Sequence, residues 1–203
     1  MKRLLVIFAL VATGCSALAQ GRLSFGNDSA HYVVMTSDSL LLLPGDAANA
    51  GAPYPGGVLP SGRSLVAGLY AGTSASSLTL QTVVPITGNL GPGRLQNLSF
   101  IMSGIPGSQI DYFQVAVWSG GYPNYAAARD DSGSWNYGGI TPVFMGTPSS
   151  AITYPPMVGP AFNWEPGPIT VELFRLVPEP SAFGLTLLGL GTLFLQRRRL
   201  SAG

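Results

Sequence analysis

The 203-residue chain is poor in the side chains that do most chemistry: one cysteine (Cys15), one histidine (His31), one lysine (Lys2), and only 9% charged residues. A single cysteine builds no intrachain disulfide and no thiolate metal cage. A lone histidine leaves a transition-metal site to be completed by carboxylates and makes His31 the sole candidate base for a serine triad. Neither pattern has a visible spacing here, and His31, beside Tyr32 at the start of an apolar run, reads as an edge or surface residue. Between the two ends the basic residues are five scattered arginines, Arg22, Arg63, Arg94, Arg129 and Arg175. No patch able to neutralise several phosphates exists, which excludes a nucleic-acid binder.

What is abundant lies at the termini and in the turns. At the N-terminus Lys2 and Arg3 precede an apolar run from Leu4 to Ala12, and Ala17-Leu18-Ala19 offers small residues at the two positions that signal peptidase reads. Residues 1–19 are therefore expected to be a cleaved signal peptide, with Gln20 as the new N-terminus. Thr13-Gly14-Cys15 offers an alternative, lipidation of Cys15, although Ala12 stands where a larger aliphatic residue is usual. At the other end an apolar run from Ala182 to Leu195 is followed by Arg197-Arg198-Arg199. The sixteen residues from Ser181 to Gln196 span roughly 24 Å as a helix, a short membrane crossing. A core helix of that length is the competing reading. Three consecutive arginines favour the membrane, because their side chains snorkel to headgroups and stop translocation.

Val177-Pro178-Glu179-Pro180-Ser181, the apolar helix and the arginine cluster together resemble the C-terminal sorting signal of PEP-CTERM proteins of Gram-negative bacteria. The resemblance covers residues 177–203. It implies an exosortase as partner, a membrane-embedded cysteine transpeptidase-like enzyme that recognises Pro-Glu-Pro and removes the helix. It also implies delivery to the cell surface or an extracellular polysaccharide matrix after a transient membrane stay. Tyr112-Phe113-Gln114-Val115-Ala116-Val117-Trp118, with Tyr125-Ala126-Ala127-Ala128 behind it, is similar to the exported domains of such proteins from Verrucomicrobia-like bacteria. This second likeness implies one β domain and the same address, and no catalytic residue.

With the signal peptide, the C-terminal apolar run and the arginine cluster removed, five arginines against the nine acids from Asp28 to Glu179 leave the exported part at −4. Residues 20–176 are the size of one domain. Their apolar segments are short, rich in Val, Ile, Leu, Phe and Tyr, and punctuated by Gly, Pro, Asn and Ser, the pattern of strands joined by turns. The expected fold is all-β: a single antiparallel β-sandwich domain of eight or so strands, flanked by the signal peptide and the transmembrane sorting helix. Strands are predicted at 22–26 and 32–36 as a hairpin, then at 64–70, 78–84, 95–102, 110–118, 143–145, 152–154 and 169–177. Residues 44–62 are predicted as a long Pro/Gly loop. The run 110–118 is the strongest, with Asp111, Phe113, Val115 and Val117 on the core side, and belongs at a sheet centre.

Candidate chemistry is sparse. Asp130-Asp131-Ser132-Gly133-Ser134 lacks the ligand spacing of an EF-hand and reads as an Asx-rich turn. Asp111, Asp130, Asp131, Glu165 and Glu172 could supply a glycosidase pair, but the sequence pairs none of them. No enzyme, cofactor or metal is expected. Trp118, Tyr122, Tyr125, Trp135 and Tyr137, interleaved with Gly, Asn and Ser, are either a platform for stacking sugar rings of an extracellular polysaccharide or a satellite cluster beneath a loop.

Overall fold

The computed structural model describes residues 20–131 and 134–174. The expected signal peptide with Ala17 and Ala19, the sorting motif Val177–Ser181, the transmembrane helix and Arg197–Arg199 lie outside the described residues.

Among the described residues nine strands are formed: β1 (Gln20–Phe25), β2 (Val33–Met35), β3 (Leu65–Gly72), β4 (Thr79–Pro85), β5 (Leu98–Pro106), β6 (Asp111–Ser119), β7 (Tyr137–Ile140), β8 (Phe144–Gly146) and β9 (Ile169–Leu173). The chain is mostly β, as expected from its turn-punctuated apolar runs. β6 occupies the sheet centre. It pairs with β3 over eight rows, from Leu65↔Ser119 to Gly72↔Tyr112, and its other edge carries β7 and then β8. The main sheet runs β2-β9-β7-β6-β3-β4, with β8 beside β6, and β1-β5 is a separate two-stranded ribbon.

Alternation explains why β6 sits there. Phe113, Val115 and Val117 point into the main core, where they meet Leu65, Ala67 and Leu69 of β3 and Val171 of β9. The ribbon supplies Leu23, Phe25, Met102 and Ile105 to the same cluster, so it packs on that face of the sheet. β4 is an edge, and of its residues only Val84 is buried.

Four expectations are corrected. The hairpin 22–26/32–36 does not form: β1 pairs antiparallel with β5, whereas β2 pairs parallel with β9. The intervening Asn27 explains this, because it is buried and its carboxamide takes partners far along the chain: Nδ2 donates to the Gly93 carbonyl at 2.9 Å and Oδ1 accepts from the Leu95 N–H at 2.8 Å. Asn27 thus ties the turn after β1 to residues 93–95, while the same Nδ2 also donates to the His31 carbonyl at 2.9 Å. Second, the parallel β2–β9 pairing makes the main sheet mixed rather than antiparallel. Third, residues 152–154 form no strand: Ile152 is 84% exposed, and the bonds to β1 flank the segment, between Arg22 and Ser149 before it and between Ser24 and Pro155 and Met157 after it. Fourth, the polar stretch after β6 holds a short helix, α1 (Tyr125–Asp130), capped by Asn124, whose Oδ1 accepts from the Ala127 N–H at 2.8 Å.

The long segment 44–62 is well tied. It opens with a 3-10 turn over Pro44–Asn49, buries Tyr54 and Leu59, and bridges Val34 through Pro53.

Candidate functional site

The aromatic group singled out in the sequence is divided between the two faces of the sheet. Trp118 and Tyr137 are both fully buried, on opposite sides. Trp118 belongs to the outer face, in a small cluster with Ala116 and Ala128 against which Val66, Tyr70, Tyr122, Tyr125 and Phe174 pack. Its Nε1–H donates to the Tyr122 carbonyl at 3.1 Å. Tyr125 meets Phe174 edge to face at 5.3 Å, and its N–H donates to the Tyr70 hydroxyl at 3.2 Å. Tyr122 donates to Asp131 Oδ2, and Asn136 Nδ2 donates in turn to the Tyr122 hydroxyl at 3.0 Å. Only Trp135, 61% exposed, presents a ring freely to solvent. Stacking on a sugar needs an open face, so Trp118 and Tyr137 cannot provide it, and α1 with its loop forms a satellite cluster on the sheet.

Tyr137 has another role. Its hydroxyl donates to Oδ2 of the fully buried Asp46 at 2.7 Å and accepts from the Leu43 N–H at 2.8 Å. Asp46 Oδ1 accepts from the Ser61 N–H at 2.9 Å. Burial pushes the Tyr137 phenol far above its ordinary value, and the neighbouring Asp46 pushes in the same direction.

His31 is buried, at 5% exposure, rather than lying at a surface or edge. Nδ1 is 2.6 Å from Asp28 Oδ1 and Nε2 is 3.2 Å from the Trp164 carbonyl oxygen. Its ring packs on the Trp164 indole at 4.5 Å, and Phe144 stacks on the same indole at 5.3 Å. The imidazole therefore fastens the segment before β9 to the turn after β1, and both of its nitrogens are engaged. Burial alone would raise the Asp28 carboxyl, but the hydrogen bonds from His31 and the Ala30 N–H hold it below the usual aspartate value.

The acids lie apart in character. Asp130 pairs with Arg129 at the surface, and Glu165 and Glu172 are exposed. Asp111 is fully buried, its Oδ2 has no hydrogen-bond partner, and only Gln109 reaches Oδ1, at 3.3 Å. Among the described residues no three His, Cys, Asp or Glu side chains gather as a metal site would require. Burial raises the Asp111 carboxyl above its ordinary value. Between the unfolded value near 3.8 and the raised folded one the native state holds the extra proton, so the contribution of Asp111 is lost as pH rises through that window. Asp111→Asn is expected to remove this falling component and to be more stable than the parent at pH 7 by about 1 kcal/mol. Urea unfolding of both proteins from pH 4 to 8 checks this. The acid-side loss from Asp28 has the opposite sign and cancels in the difference.

Two hollows were not anticipated. One, of about 350 Å³, lies between residues 140–145 and 163–169 and is lined by Pro142, Pro166, Pro168, Phe144 and Trp164. The proline spacing was a visible signal, but nothing local says that the two segments meet. Another, of about 260 Å³, lies among residues 87–97 and is lined by five polar residues and Leu90. No helix among the described residues is long and apolar enough to cross a membrane. Set against protein-family models, curated proteins and solved structures, the chain has no match in any of the three.

Proposed function

We propose that this is an exported, non-enzymatic protein of the cell surface or extracellular matrix. A signal peptide removed after Ala19 exports it, the C-terminal helix holds it briefly in the membrane, and an exosortase processes it within Val177–Ser181. The observation that carries this reading is the form of the two ends in the sequence: Lys2 and Arg3, an apolar run and Ala17-Leu18-Ala19 at one, and Val177–Ser181, an apolar run and Arg197–Arg199 at the other. Among the described residues, every strand from β1 to β9 pairs with another strand lying between those ends. The ribbon β1-β5 over the mixed sheet is, on this reading, a sandwich whose second layer is reduced to two strands.

His31 supports a non-catalytic role, because the only histidine is engaged at both nitrogens in fastening two segments of the fold. Sugar stacking through residues 118–137 loses support with the burial of Trp118 and Tyr137. The test is mass spectrometry of the protein recovered from its native host. The expected product starts at Gln20 and ends within Pro178–Ser181. An intact chain from Met1 to Gly203 in the cytosolic fraction would overturn the proposal.

A further inference from the structure

The hollow between residues 87–90 and 94–97 has the side chains of a ligand site, of which only Arg94 is hydrogen-bonded to a distant part of the fold. It is lined by Thr87, Asn89, Leu90, Arg94, Gln96 and Asn97. We propose that it binds an acidic sugar residue, a polyhydroxylated ring bearing a carboxylate.

The charge argument comes first. Arg94 is part-buried, and one donor is committed: Nη2 gives a 2.7 Å hydrogen bond to the Asn27 carbonyl. Its Nε–H is buried without an acceptor, and among the described residues no carboxylate pairs with the guanidinium. Within the fold the cation is thus fixed in place but uncompensated, and its Nη donors suit a carboxylate.

The carboxamides then discriminate among anions. Asn89, Gln96 and Asn97 each present donors and an acceptor, and Thr87 adds a hydroxyl. A hydroxyl group both donates and accepts, so several hydroxyls on a ring can satisfy this set. Phosphate or an acidic peptide side chain brings mainly acceptors and leaves the carboxamide oxygens without donors. Leu90, 55% exposed, offers an apolar contact for the C–H face of a ring. At about 260 Å³ the hollow lies just under the roughly 300 Å³ at which drug-sized sites begin, a fit for one sugar unit of a longer chain.

The hollow is also pre-formed. Gly93, at φ +71°, donates to the Tyr54 carbonyl at 2.6 Å and lies where a Cβ would stand 2.5 Å from the Val33 carbonyl oxygen. The Leu95 N–H is held by Asn27 at 2.8 Å. A loop fixed on both sides of Arg94 loses little entropy when a ligand arrives.

The inference does not depend on how the two ends are processed. The test uses the full-length chain in a zwitterionic, sugar-free detergent, titrated calorimetrically with a galacturonate oligosaccharide, its neutral galactose counterpart, inorganic phosphate and oligoglutamate. The galacturonate oligomer is expected to bind at least about tenfold more tightly than the other three, a difference of about 1.4 kcal/mol. Arg94→Gln is expected to abolish binding, but it also releases the Asn27 carbonyl. The exposed pair Asn89→Ala and Gln96→Ala therefore carries the test, because neither side chain bonds within the fold; each is expected to weaken binding about tenfold with unfolding unchanged. No galacturonate binding, equal binding of any of the other three probes, or unchanged affinity in both alanine variants would overturn the assignment.

Discussion

Trp118→Ala is expected to lower stability by about 3–5 kcal/mol, the range for emptying a large aromatic site, and to free α1 from the sheet. The indole is fully buried, and it fits because residue 68 is glycine: a Cβ there would stand 2.4 Å from the Trp118 Cη2. Removing the ring opens a cavity against β3 and takes the Nε1–H donor from the Tyr122 carbonyl. Tyr122 is the hub of the loop, since its hydroxyl joins Asp131 and Asn136. The urea midpoint should fall, and trypsin should cut after the exposed Arg129 at a concentration that leaves the parent intact. The β-sheet signal in circular dichroism should persist after that cut, because the core holding Phe113, Val115 and Val117 is a separate cluster on the opposite face. Retention of the parent's protease resistance would show that the indole does not hold α1 in place.

Trp118 also shows what a one-dimensional pattern conveys and what it withholds. Period-two alternation placed Phe113, Val115 and Val117 on one face of β6 and the central position followed from their number, both as observed. The opposite parity, Ala116 and Trp118, was open to either solvent or a cover, because what covers it is α1, a six-residue helix. Six residues are too few for a helical period to stand out, and the local signal was the Asn124 cap alone. β7 was hidden for a different reason: Tyr137-Gly138-Gly139-Ile140 reads as a turn, yet its glycines let Phe174 and the β9 backbone approach closely. Strand partners were illegible throughout. Asp28 forms a local Asx turn that resembles a hairpin signal, while Asn27 beside it bonds to residues 93–95. The buried state of His31 was equally out of reach, because Trp164 lies 133 positions away.

Tyr137→Phe is expected to cost about 3–5 kcal/mol, more than a hydroxyl deletion at a typical buried tyrosine. The phenol serves two groups at once. It donates to Asp46 and accepts from the Leu43 N–H, so its loss leaves a fully buried carboxylate with one donor fewer and a backbone donor without an acceptor. Asp46→Asn in the same background should recover part of the loss by removing the stranded charge, and a double-mutant cycle measures that coupling. The pair also governs the alkaline limb of stability. Burial, with Asp46 second to it among the groups that push upward, raises the Tyr137 phenol above its unfolded value of 10.0. Its contribution is therefore complete below pH 10 and is lost as pH rises from there toward the folded value, where the unfolded chain sheds its proton first. Tyr137→Phe should be less stable than the parent at pH 7, and the gap should narrow progressively from pH 10 upward. A gap that stays constant across that range would mean the phenol ionises alike in both states, and the buried link between residues 43–46 and β7 would have to be redrawn.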